Sequence, residues 1–224
     1  MTGTIYVINP NSTEAVTEGI RGAVRGLDLP AGVAVECLTL AEGPAAVQTQ
    51  RDIDQAVEPL CTTVRRLEEG AGAFVLACFS DPGLFSVREV THKPVLGISE
   101  CGMLTAMTLG LRIGVLSILP VSVPRHARYF AAMGIGARVA ADLPIDLGVL
   151  ELADAEKALA RMTEGGRTLR DAHGADVLVM GCAGMSRFRA PLEAAVGLPV
   201  VEPTLAAVAM AMGRCALGWS ERRW

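Results

Sequence analysis

The sequence Gly-Ala-Phe-Val-Leu-Ala-Cys-Phe-Ser-Asp-Pro-Gly at residues 72–83 decides the fold, because the chain contains a second version of it. The second version is Ala-Asp-Val-Leu-Val-Met-Gly-Cys-Ala-Gly-Met at residues 175–185. Each is a short apolar run that ends at a cysteine followed by small, turn-forming residues. Such runs predict strands buried on both faces of a sheet. Cys78 and Cys182 are therefore each expected just beyond the carboxyl end of a buried strand, the edge where open α/β sheets bind ligands.

The rest of the chain repeats in the same way. Lys-Pro-Val-Leu-Gly-Ile at 93–98 aligns with Leu-Pro-Val-Val-Glu-Pro at 198–203. Strands that alternate with helices predict parallel βαβ units. The expected strands are 4–8, 33–40, 73–78, 95–98, 112–118, 139–143, 176–182 and 198–201. The expected helices are 13–26, 49–69, 84–90, 103–109, 123–133, 150–172, 191–196 and 204–217.

These elements predict an α/β fold of two domains related by a pseudo-twofold axis. Each domain is a four-stranded parallel sheet flanked by helices, and the active site is expected in the cleft between them. The first half is residues 1–100, and the helix within 204–224 is expected to pack back on it. The second half is residues 101–203.

Composition excludes several classes of protein. The 224 residues are 51% hydrophobic and only 4% aromatic, and the net charge is -4, so neither a basic surface nor a stacking surface for nucleic acid is expected. No apolar stretch reaches the roughly 20 residues that span a bilayer, and the first residues do not have the pattern of a signal peptide. Six cysteines without CxxC spacing and three isolated histidines make a metal site unexpected. We therefore expect a cytoplasmic protein with reduced thiols.

Four stretches of the chain resemble the hydantoin racemase family, part of the aspartate/glutamate racemase superfamily that includes the allantoin racemases. These stretches are Ile-Asn-Pro-Asn-Ser-Thr at 8–13, Ala-Cys-Phe-Ser-Asp-Pro-Gly at 77–83, Gly-Cys-Ala-Gly-Met at 181–185 and Leu-Pro-Val-Val-Glu-Pro-Thr-Leu-Ala-Ala-Val at 198–208. The resemblance implies a cofactor-independent racemase of a 5-substituted hydantoin or a related ureide. Two departures bear on substrate choice, since Ser80 replaces a common glycine and Glu202 a common aspartate.

Two thiols suit this chemistry. Racemisation removes a proton from one face of a carbon and returns one to the other, which a thiolate and a thiol on opposite faces achieve by general acid–base catalysis. We therefore predict that Cys78 and Cys182 are the catalytic residues. The substrate is a small molecule, no cofactor is needed, and a homo-oligomer is expected. The residues expected to contact the substrate are Asn11, Phe79, Ser80, Ser117, Ala183 and Gly184.

Other polar and sulfur-containing residues receive structural interpretations. Asp81 is either a helix cap or a carboxylate that tunes the thiol, and the cap is favoured. His92 and His126 are expected at the surface. Four cysteines without an equivalent in the other half are expected to be packing residues: Cys37, Cys61, Cys101 and Cys215.

Three other functions remain open. Maleate isomerases and arylmalonate decarboxylases resemble the same superfamily and depend on one cysteine, although the decarboxylases lack the thiol of the first half. A racemase of aspartate or glutamate would need cationic or multiple hydroxyl partners, of which these motifs offer few. A thiol redox sensor or small-ligand binding protein would use the two cysteines for a reversible disulfide.

Overall fold

Strands and helices alternate throughout the computed structural model, which describes residues 3–219. The first four strands and helices are β1 (Gly3–Asn9), α1 (Glu14–Val24), β2 (Val33–Thr39), α2 (Gln50–Leu67), β3 (Ala71–Leu76), α3 (Leu84–Val90), β4 (Val95–Gly97) and α4 (Ile98–Leu109). The next four are β5 (Ile113–Ser117), α5 (Val123–Ala132), β6 (Val139–Pro144), α6 (Ala155–Asp171), β7 (Val177–Met180), α7 (Arg189–Val196), β8 (Val200–Val201) and α8 (Pro203–Leu217).

The strands form two four-stranded sheets, both entirely parallel. Their orders are β2-β1-β3-β4 and β6-β5-β7-β8. The two orders are equivalent, because the first strand of each half lies between the second and the third. The predicted α/β class, with two four-stranded parallel sheets flanked by helices, is confirmed.

The chain divides into two compact units around these sheets. The first unit runs to Cys101 and resumes at Thr204, and the second is Gly102–Pro203. The boundaries fall within α4 and after the first residue of α8. The first unit is therefore built from two separate parts of the chain.

The core of the first unit lies between β3 and α2. Phe74 and Leu76 of β3 are fully buried in one cluster with Leu60 and Val64 of α2. Burying a side chain of this size stabilises a fold by roughly 1.5–3 kcal/mol. The start of α2 is fixed by a capping box. The Thr49 hydroxyl accepts the N–H of Asp52, and the Asp52 carboxylate accepts the N–H of Thr49.

The core of the second unit follows the same plan. β5 and β7 are buried along their whole lengths, as expected for strands covered by helices on both faces. On α6, Met162 and Leu169 have no exposed surface. They lie seven residues apart, on one face of the helix.

Two helix starts differ from the prediction by five residues, whereas the other boundaries lie within two residues of it. The long helix predicted at 150–172 begins at Ala155, because the Asp154 carboxylate accepts the N–H of Lys157 and so caps it. Residues 150–153 form a separate 3₁₀ turn. α4 begins at Ile98, five residues before the predicted start, and the last strand is only Val200–Val201. Periodicity alone did not locate the two helix starts, which depend on capping contacts.

Leu60→Ala tests the core of the first unit. Leu60 has no exposed surface, so the substitution leaves a cavity and should lower the free energy of unfolding by about 2–5 kcal/mol. Urea unfolding measures this loss. Leu111→Ala, at a position that is 73% exposed, is the matched control and should change stability by less than about 0.5 kcal/mol. Equal effects at the two positions would contradict the assignment of Leu60 to the core.

Candidate functional site

Both cysteines of the repeated motif lie where the sequence predicts, two residues after the last residue of a buried strand. In the first unit, the N–H of Ala77 donates to the carbonyl of Ile8 (2.8 Å), which extends the contact of β3 with β1 up to Cys78. In the second unit, the N–H of Gly181 donates to the carbonyl of Leu116 (2.8 Å) in the same way. A Cβ atom at Gly181 would lie 2.6 Å from that oxygen, so only glycine allows this approach before Cys182.

The six cysteines differ in exposure. Cys78 and Cys182 are half-buried, whereas Cys37, Cys61 and Cys101 are buried, and burial raises the pKa of each of these three thiols. These three are packing residues, as predicted. The fourth predicted packing residue, Cys215, is half-buried. Its thiol donates to the carbonyl of Gly72 (3.2 Å), and burial also raises its pKa.

A hydrogen-bonded loop follows β1. Asn9 Nδ2 donates to Asn11 Oδ1 and to Thr17 Oγ1 (both 3.0 Å), and the N–H of Thr13 also donates to Asn11 Oδ1 (2.9 Å). Two donors on Oδ1 fix the orientation of the Asn11 amide, because an amide nitrogen cannot accept them. Asn11 is 6% exposed, and its remaining polar group is the Nδ2 donor. Any ligand that this side chain contacts must therefore offer an acceptor.

α1 begins at Glu14, directly after the loop that follows β1. Thr13 occupies the N-cap position, but its side chain accepts no N–H of the helix. Its hydroxyl donates instead to the carbonyl of Ala45 (2.7 Å). The loop after β1 is thus fixed to the loop after β2, a contact that local sequence does not reveal.

A second buried polar cluster lies at the end of β5. Ser117, which has no exposed surface, donates to Asp142 Oδ1, and His126 Nδ1 lies 2.8 Å from Asp142 Oδ2 and 3.3 Å from Ser117 Oγ. The predicted surface position of His126 is wrong, because the residue is 2% exposed. It lies four residues before the buried Phe130, a spacing that places both on one helix face. The exposed position predicted for His92 is confirmed.

The same cluster is not a hydrolytic triad. In such a triad the serine and the carboxylate contact different nitrogens of the imidazole. Here Ser117 and Asp142 both face His126 Nδ1, and Ser117 donates directly to the carboxylate. With its proton directed to Asp142, Ser117 could bind a substrate only as an acceptor. Sequence reasoning missed Asp142, although a carboxylate within a predicted strand is a usable signal.

The remaining predicted contact residues adjoin the cysteines in the chain. Phe79 and Ala183 are buried, at 2% and 4% exposed, and Ser80 and Gly184 are half-buried. A Cβ atom at Gly184 would lie 3.6 Å from Cys182 Sγ. Gly184 therefore leaves open the space beside this thiol that a side chain would occupy.

Neither a metal centre nor a membrane span is found in the described part of the chain. Residues 3–219 contain no group of three His, Cys, Asp or Glu side chains arranged to hold a metal ion. No helix among them is both long enough and apolar enough to cross a bilayer.

Comparisons with known proteins find relatives in sequence and in fold. The sequence model of the family described as Asp/Glu/Hydantoin racemase matches residues 5–211. A hydantoin racemase of Rhizobium meliloti is 34% identical over 222 residues, which cover 96% of this chain and 90% of that protein. Allantoin racemase from Klebsiella pneumoniae superposes with a TM-score of 0.91 at 30% identity, covering 99% of this chain and 91% of that one. Allantoin racemase from Pseudomonas fluorescens gives 0.93 at 27% identity, covering 98% and 93%.

His126→Ala tests the polar cluster. The substitution removes the imidazole that contacts Asp142, a carboxylate whose side chain is 7% exposed, and should lower the free energy of unfolding by about 1–3 kcal/mol. Urea unfolding measures the change. His92→Ala makes the same substitution at an exposed position and should stay within about 0.5 kcal/mol of the wild type. If both variants kept wild-type stability, the contact would contribute nothing to the fold.

Proposed function

Because the chain belongs to the Asp/Glu/hydantoin racemase family, we propose that it racemises 5-substituted hydantoins or a related ureide such as allantoin. Proton transfer occurs between Cys78 and Cys182, without a cofactor. The observation that carries the proposal is the pair of half-buried thiols, each two residues beyond a central strand that is almost entirely buried. Partial exposure lets a thiol meet a substrate, which the buried cysteines cannot do.

The reaction follows from the acidity of the hydantoin ring. The hydrogen on C5 lies next to a carbonyl, so its removal gives an enolate rather than a localised carbanion. One cysteine, as thiolate, takes this proton and becomes a thiol. The other cysteine, as thiol, gives its proton to the opposite face of C5 and becomes a thiolate. Atoms and charge balance, and the reverse reaction starts from the protonation state that the forward reaction leaves.

The turn after Cys182 supplies groups for the developing negative charge. Residues 183–188 form a 3₁₀ helix, and the N–H groups that open a helix have no acceptor within it. We propose that the N–H groups of Ala183 and Gly184 stabilise the enolate oxygen, as in other sites that hold an oxyanion by backbone donors.

Asn11 completes the proposed site as a donor. Its Oδ1 atom accepts from Asn9 and Thr13, so its Nδ2 group is directed to a carbonyl of the ring rather than to a ring N–H. Hydantoin and allantoin both carry two ring carbonyls, which makes this contact compatible with either substrate.

Replacing each catalytic thiol by serine should abolish racemisation, because a serine hydroxyl is a far weaker acid than a thiol. The remaining thiolate should still exchange the C5 proton of the enantiomer that it faces. Cys78→Ser and Cys182→Ser are therefore expected to introduce deuterium into opposite enantiomers without inversion. Proton NMR of each pure enantiomer in deuterium oxide measures this exchange.

Cys215→Ser is the matched control for these variants. The serine hydroxyl keeps a donor for the carbonyl of Gly72, so racemisation should remain at the wild-type rate. Normal racemisation by Cys78→Ser or Cys182→Ser would exclude the two-thiol mechanism. Exchange of the same enantiomer by both variants would indicate a single catalytic base.

Asn11→Asp tests the contact with the ring carbonyl. Aspartate keeps the oxygen that accepts from Asn9 and Thr13 and replaces the Nδ2 donor by a second acceptor, so KM should rise about tenfold. Steady-state kinetics measure the change. Gln50→Glu makes the same amide-to-carboxylate change at an exposed position and should leave KM unchanged. An unchanged KM in Asn11→Asp would show that the Asn-Pro-Asn segment serves loop structure alone.

A further inference from the structure

Asp81 lies on the turn that follows Cys78 and has an unusual backbone conformation. Its φ angle is 43°, in the left-handed region that few residues other than glycine adopt. The N–H of Asp81 donates to the carbonyl of Cys78 (2.9 Å), so this conformation closes the turn directly on the cysteine. Asp81 is also 5% exposed, an uncommon burial for a carboxylate.

The Asp81 side chain connects this turn to the start of α4. Its Oδ1 atom accepts the N–H of Ser99 and its Oδ2 atom accepts the N–H of Glu100 (both 2.9 Å). A negative charge at a helix N-terminus is stabilised by the helix dipole. Of the two roles that the sequence leaves open, Asp81 performs the capping role, and it caps α4 rather than the nearer helix α3.

Gly97 provides the space for this carboxylate. A Cβ atom at residue 97 would lie 2.2 Å from Asp81 Cγ, far inside van der Waals contact. The carboxyl group therefore rests directly against the last residue of β4. Three elements meet at this point: the turn after Cys78, the end of β4 and the first turn of α4.

The second unit has a buried carboxylate in the corresponding place, contributed by a different segment. Glu202 follows β8, at the position that aligns with Gly97, and it is 3% exposed. Ser186, four residues after Cys182, donates to Glu202 Oε1 (2.7 Å) and also lies 2.7 Å from the carbonyl of Ala183. Here the end of the strand supplies the acid and the turn after the cysteine supplies its partner, the reverse of the first unit.

We propose that Asp81 and Glu202 are positioning residues for Cys78 and Cys182, respectively. Each carboxylate fixes the turn after its cysteine to the segment that enters the next helix, and so sets the position of the thiol. The proposal rests on the proposed racemase function. Proton transfer depends on the placement of the acid and base to within about 0.5 Å, so a loosened turn slows catalysis while the thiol is still present.

Two variants perturb the Asp81 carboxylate in different ways, one by removing a hydrogen-bond acceptor and one by steric contact. Asp81→Asn tolerates the left-handed backbone but has one amide oxygen, so it loses one of the two N–H contacts. Gly97→Ala leaves every polar group in place and displaces the Asp81 carboxylate sterically. Glu202→Gln tests the second unit. Asp154→Asn and Gly22→Ala are matched controls, the first at the cap of α6 and the second at a helical glycine with open space around it.

In steady-state kinetics, we expect kcat to fall at least about tenfold in Asp81→Asn, Gly97→Ala and Glu202→Gln, with KM changed by less than about twofold. The control variants should keep the wild-type kcat. Circular dichroism and urea unfolding of each variant verify that it is folded at the assay temperature. A wild-type kcat in Asp81→Asn and Gly97→Ala would overturn the proposal for the first unit, and a wild-type kcat in Glu202→Gln would overturn it for the second.

A second readout does not depend on activity. Alkylation of each cysteine by iodoacetamide, followed by peptide mass spectrometry, gives a rate for every thiol. Asp81→Asn and Gly97→Ala should raise the rate at Cys78 by at least about threefold and leave Cys182 unchanged, because a loosened turn exposes its own thiol. Glu202→Gln should raise the alkylation rate at Cys182 by a similar factor and leave the rate at Cys78 unchanged. If the wild type racemises no hydantoin or ureide, the proposed function fails. Unchanged alkylation rates in these variants would overturn the positioning roles, whether or not the wild type is a racemase.

Discussion

Burial of the central strands on both faces is the constraint on which the rest of the molecule depends. β3, β7 and all of β5 except its last residue, Ser117, are apolar and almost wholly inaccessible, so they have no place for a reactive polar side chain. Because all the strands of each sheet run in the same direction, the carboxyl ends of the strands come together at one edge of that sheet. The polar residues of each unit are concentrated there: the asparagine loop, the turn after Cys78, Ser117 and the turn after Cys182. The composition of the strands therefore determines where chemistry is possible.

At that edge, each unit holds its polar residues by a different set of hydrogen bonds. The first unit uses amides after β1 and a carboxylate on the cysteine turn, whereas the second uses the Ser117–His126–Asp142 cluster and a carboxylate after β8. The backbone geometry before the two cysteines is nevertheless the same, with a hydrogen bond to the central strand in each case. The duplicated backbone is thus retained while the supporting side chains differ, as expected if the position of the thiol matters more than the identity of its supports.

The sequence was sufficient for the parts of the structure that depend on local pattern. Buried strands are recognisable as continuous apolar runs, and the repeat located both cysteines and both sheets. It was insufficient for contacts between distant residues. His126 and Asp142 are 16 residues apart and Asp81 and Ser99 are 18 apart, on different elements, and neither pair follows a periodicity. Helix starts such as Ala155 and Ile98 were misplaced for a related reason, because capping side chains, and not the apolar spacing, determine where a helix begins.

The division of the chain into units has a consequence for synthesis on the ribosome. Gly102–Pro203 is continuous, so the second unit can fold as soon as its residues emerge. The first unit begins earlier but takes α8 from the far end of the sequence, and its last helical residue, Leu217, is made 116 residues after Cys101. At the usual rate of translation this interval is on the order of ten seconds. The half of the protein that is started first is therefore completed last, and the contact of Cys215 with Gly72 can form only after the whole second unit has been synthesised.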